Sequence, residues 1–245
     1  MTSKVASSVY WRLLQYLKRN PDLVCTGQIK NHQRYCYATA PDLTLEIEGT
    51  LANGEEWDSD PQLGPLVDQV QEEMQEWCYD FNREMEKGLY AEMEYRQSEE
   101  ALSEDWDANE IRFDRDGDMV DRVTQGGRRV RRGFRFSELS PQAKERALDK
   151  YRYWATEDSS WSEFMEEDYQ KQLEYMGFEG VEIQYSLGYS QGDGASFEAR
   201  RIDVRKFLEQ MAANKKPTDV FNEAKKLAES LLEAGLAVLE GLSAL

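Results

Sequence analysis

The chain has 245 residues, enough for one large domain or two small ones. Its 30 Lys and Arg stand against 48 Asp and Glu, a formal charge of −18. That excess excludes wrapping of a phosphate backbone, where affinity comes from cationic neutralisation. A single histidine excludes most His-rich metal sites and nearly every triad chemistry. With 40% apolar residues, six Trp, 13 Tyr and nine Phe, a real core is expected in place of disorder. Residues 1–20 show neither the apolar run nor the small-residue cleavage site of a signal peptide. No window reaches the ~18 uninterrupted apolar residues of a membrane span. Cys25, Cys36 and Cys78 are odd in number and form no C-x-x-C pair, which fits reduced thiols. The expectation is a soluble protein of the cytoplasm.

From the N-terminus, Val5, Val9, Leu13 and Leu17 recur every four residues and predict an amphipathic helix over about 4–19, stopped by Asn20-Pro21. A polar stretch containing His32 follows. Residues 34–40 and 43–51 alternate at period two, and Pro41-Asp42 between them predicts a hairpin. Asn53-Gly54 marks a turn, and Asp60-Pro61 a helix start. Leu66, Val70, Met74, Trp77, Phe81, Met85 and Leu89 then give the strongest helical period in the chain. A shorter helix is expected near 99–106, and a tight hairpin joins Ile111-Arg112-Phe113 to Met119-Val120 through Asp116-Gly117. Residues 122–135 are rich in Arg and Gly and read as a loop. Ser140-Pro141 caps a helix carrying Ala143, Ala147, Leu148 and Tyr151, and a Trp/Tyr-rich helix over about 159–176 ends at Gly177. Residues 181–185 alternate like a strand, a glycine-rich turn spans 188–194, and Ser196-Phe197-Glu198 returns. Pro217-Thr218 opens a last amphipathic helix. The fold class is α+β: a small antiparallel sheet packed by several helices, including a long acidic one. Residues 1–216 form one acidic domain, and 217–245 pack on it or on a partner, a second copy included.

Residues 42–121 hold 26 Asp and Glu against five Lys and Arg. Two readings stand: carboxylates coating solvent faces for solubility, or a polyanionic surface that imitates nucleic acid and engages a basic groove, since self-repulsion of this kind calls for a reason. On the long helix the outer face carries Glu72, Glu73, Glu76, Asp80 and Glu84. Asp114-x-Asp116-Gly117-Asp118 is reminiscent of a calcium loop, but an EF-hand register puts Arg112 and Val123 at its first and twelfth positions, so a hairpin is the better reading. No metal or cofactor is expected. The arginine segment is read as a strap over the acidic helices, cut first by trypsin between about 126 and 135. The turn with Ser190, Gln191, Gly192, Asp193 and Gly194 is read first as structural; the alternative is a ligand-binding module or enzyme centred on 188–197.

Phe136-Ser137-Glu138-Leu139 through Ala143-Lys144, followed by the Trp/Tyr helix and the strand into Ser190-Gln191-Gly192-Asp193-Gly194-Ala195-Ser196-Phe197, resembles a family of bacteriophage-encoded proteins often labelled antitoxin-like. Trp77-Cys78-Tyr79-Asp80-Phe81, Ser98-Glu99-Glu100-Ala101 and Ala108-Asn109-Glu110-Ile111-Arg112-Phe113 are similar to a second block of that family. In the family this block follows the glycine turn and here it precedes it, as in a circular permutation. The resemblance implies a phage protein in the bacterial host cytoplasm, and the expectation here is a non-enzymatic one. Joined to the charge, it implies inhibition of a host macromolecule with a basic groove: a defence nuclease, a toxin or a nucleic-acid-binding protein. Direct contact with nucleic acid or membrane is not expected.

Overall fold

A computed structural model describes residues 3–30, 42–120, 133–157, 160–188 and 193–212. The fold is α+β, with a four-stranded antiparallel sheet and six helices among the described residues. The chain divides into two compact units, residues 1–87 with 165–245, and residues 88–164.

In the first unit, α1 (Ser3–Arg19) is followed by β1 (Val24–Lys30) and β2 (Asp42–Glu48). The helix α2 (Leu63–Arg96) begins here and continues past the unit boundary. The later half of the unit supplies the end of α5 (Ser160–Met176), then β3 (Phe178–Ser186), β4 (Gly194–Asp203) and α6 (Val204–Ala212). The strand order is β2-β1-β4-β3. Apolar side chains alternate onto the face that meets the helices, as a half-wet antiparallel sheet requires. Cys25, Ile29, Leu43, Ile47, Phe197 and Ala199 are all buried. Trp77 of α2 stacks on Phe178 at 5.9 Å and meets Phe207 of α6 edge-on at 5.4 Å. Phe81 meets Phe197 at 5.7 Å. These aromatic pairs bring their own preference for offset and edge-on contact to the core. Arg205 of α6 donates to the Leu17 carbonyl at 3.1 Å, placing a cation at the negative end of α1.

The second unit contains the end of α2, α3 (Glu99–Ala108), α4 (Pro141–Tyr151) and the start of α5. Leu102, Trp106, Phe113, Phe136, Leu139, Ala143, Ala147, Leu148 and Tyr151 make its core. Trp106 lies 5.0 Å from both Phe113 and Phe136. Ser98 caps α3 by accepting the Ala101 N–H, and Ser140 caps α4 by accepting that of Ala143, with Pro141 in the first turn.

Every residue of the long apolar period, Leu66 to Leu89, is buried. Three expectations need correction. The strand at 43–51 spans Asp42–Glu48 and pairs with Val24–Lys30, inside the stretch read as polar, in the register Cys25↔Ile47 and Ile29↔Leu43. The proposed partner, residues 34–40, lies outside the described residues, as does His32. The hairpin at 111–120 is a single bridge, Phe113↔Met119, not a strand pair. The return strand at 196–198 extends over Gly194–Asp203 and leads directly into α6, a helix the sequence reading lacks. The arginine segment through residue 132 and the terminal stripe at 217–245 lie outside the described residues.

Candidate partner-binding face

The apolar period of α2 fixes its outward side by default. Asp68, Glu72, Glu76 and Asp80 follow one another at intervals of four, and all are exposed. A helix rises about 1.5 Å per residue, so this row advances by about 6 Å from each carboxylate to the next. Of the five residues expected on the outer face, Glu72, Glu76 and Asp80 stand in the row. Asp68 extends it and was not foreseen. Glu73 and Glu84 are turned aside and half-buried. Burial, and then the neighbouring Glu76 charge, raise the Glu73 carboxyl above its ordinary range. Glu84 accepts from Lys87 at 2.6 Å, and Arg83 lies 5.9 Å over the Tyr79 ring. The acidic row therefore ends where these two cations begin.

At the other end the row meets the sheet. The Leu45 N–H points away from β1 and donates to Gln71 Oε1 of α2 at 2.9 Å. Beyond this contact a groove of about 390 Å3 opens between β2 and the first turns of α2. Leu45, Ile47, Trp57 and Val67 line it, with Glu46, Glu48 and Asp68 at its margin. A second hollow of about 250 Å3 lies on the sheet, where Arg200 pairs with Glu182 at 2.6 Å beside Lys30 and Glu198.

The glycine-rich turn joins β3 to β4. Ser186 donates to Asp193 Oδ1 at 2.6 Å, and Gly194, with φ +149°, opens the ladder opposite Ser186. Ser190, Gln191 and Gly192 lie outside the described residues. The calcium-like turn is a structural one: Asp114 Oδ1 accepts the N–H groups of Asp116 and Asp118, while Lys150 and Arg146 of α4 bond Asp118 and Asp116. Among the described residues, no group of three or more His, Cys, Asp or Glu is placed to hold a metal. Cys25 and Cys78 are free and buried. Burial pushes the Cys25 thiol up to about 12 and Cys78 higher still, so neither is a thiolate nucleophile at neutral pH.

Residues 161–239 match the model of a family described as a domain of unknown function (DUF8835). The matched stretch takes in most of α5 and all of β3, β4 and α6. No curated protein and no solved structure matches the chain. Among the described residues no helix is long and apolar enough to cross a membrane.

Proposed function

We propose that this is a non-enzymatic binding protein whose acidic surface engages a basic groove on another macromolecule. The observation that carries the reading is the exposed row Asp68, Glu72, Glu76 and Asp80 on one rigid helix. A row of like charges on a rigid element repels itself in the free protein, and a basic partner relieves that repulsion while being steered by the same field. The row advances about 6 Å from one carboxylate to the next along the helix, a spacing that suits the cationic side chains lining a basic groove. The resemblance to phage antitoxin-like proteins adds the setting: a bacterial cytoplasm, with a host defence nuclease or toxin as the class of target.

The test begins with capture from host lysate and mass-spectrometric identification. Association of the captured partner is then followed at several salt concentrations. Changing Glu72, Glu76 and Asp80 together to Lys is expected to slow association by about tenfold or more at low salt, with a thermal midpoint no lower than the parent's, since self-repulsion is relieved. Association that ignores both salt and these substitutions overturns the proposal.

A further inference from the structure

In an antiparallel pair, alternate residues turn their N–H and C=O groups away from the partner strand. The Leu45 N–H, held by Gln71, shows which residues these are in β2: Leu43, Leu45 and Ile47 face the edge. The groove begins just past the Gln71 contact and runs along Leu45 to Glu48. Lys30 pairs with Asp42 at the other end of β2.

We propose that this groove binds an extended basic segment of a partner protein, which adds to the sheet as a strand beside β2. The inference rests on the reading of the chain as a binder of basic partners and gives that partner a form. Side chains of an added strand alternate between faces. Those on the helix side meet Leu45, Ile47, Trp57 and Val67, which favours apolar residues. Those on the other side meet Glu46 and Glu48, both exposed, which favours Arg or Lys. Asp68 stands at the groove margin and begins the row on α2, so one strip of negative charge continues from the edge onto the helix. The segment recognised alternates basic and apolar residues, and main-chain bonds to Ile47 hold it in register.

The probe is a labelled ten-residue peptide alternating Arg and Val, with binding to the full chain followed by fluorescence anisotropy. A second peptide carries N-methyl groups at alternate positions along one edge, which removes strand pairing and keeps the charge. N-methylation on the pairing edge, and the double variant Glu46→Lys with Glu48→Lys, are each expected to weaken binding roughly tenfold or more. Glu76→Lys with Asp80→Lys serves as the comparison and is expected to weaken it less. Equal binding of the two peptides, or sensitivity to the α2 pair alone, overturns strand addition while leaving the acidic-face proposal standing. If the chain sediments as a dimer that the peptide dissociates, the groove belongs to a second copy and the partner assignment is overturned. Loss of salt dependence with the captured partner strikes the broader reading instead. Circular dichroism of each variant separates loss of binding from loss of fold.

Discussion

Asp114 illustrates how a residue suggestive of metal binding serves a turn. Its carboxylate accepts the N–H groups of Asp118 and Asp116, and these bonds hold its pKa below the ordinary value. Gly117 at the tip has φ +92°, and a Cβ there would lie 2.3 Å from the Ala143 carbonyl oxygen, so only glycine brings the turn this close to α4. Because folding lowers the Asp114 pKa, the ionised group contributes stability at neutral pH, and that contribution is lost as pH falls through and below the usual carboxylate range. Asp114→Asn keeps an acceptor oxygen but no charge. The variant is expected to have a lower urea midpoint than the parent at pH 7, with the difference shrinking as pH is lowered through and below the ordinary carboxylate range. A difference that does not change with pH would show that charge has no part in the turn.

At the scale of elements, α4 is the simplest case for a capping measurement. Ser140 Oγ accepts the Ala143 N–H at 3.3 Å, and Ser140→Ala is expected to cost about 1 kcal/mol in denaturant unfolding of the second unit. This helix was legible because cap, proline and apolar spacing all point to it; α2 was legible because its period persists from Leu66 to Leu89. β1 was not, since its inward positions are Cys25, Gly27 and Ile29, and the glycine breaks the apolar alternation. Gly27 is there because a Cβ would come within 2.6 Å of Leu45 Cδ2 and 2.9 Å of the Thr44 oxygen, a requirement set by a strand distant in sequence. α6 is short and follows β4 without an intervening residue, so no turn signal announces the change of period. The acidic row was partly readable, because helical spacing separates exposed from buried positions. The groove was not: it depends on β1 taking one edge of β2 and leaving the other to Gln71, and no local pattern encodes that choice.

For the whole molecule, charge is the dominant feature. With −18 overall and exposed carboxylates in series, the folded state repels itself, and screening shortens that repulsion to about 8 Å at physiological ionic strength. Moderate sodium chloride is accordingly expected to raise the thermal midpoint of the free protein, while the Glu72, Glu76 and Asp80 to Lys variant gains less from the same salt. A midpoint that falls with added salt would mean that ion pairs such as Arg200–Glu182 outweigh the repulsion.

The strand order carries a consequence for how the chain reaches this state. β1 pairs with β4 in the register Thr26↔Asp203, and residues 88–164, which form their own compact unit, lie between them in sequence. Closing so long a loop is entropically slow, and non-local pairing sets the pace of folding. On a ribosome the inserted unit emerges complete while the β1–β2 pair still waits for its third strand. During that interval β1 presents an open, strand-ready edge to the crowded cell, and the exposed acids of β2 and α2 supply like-charge repulsion that keeps nascent copies from joining one another there. The same negative charge proposed to attract a partner in the finished protein thus protects the unfinished one.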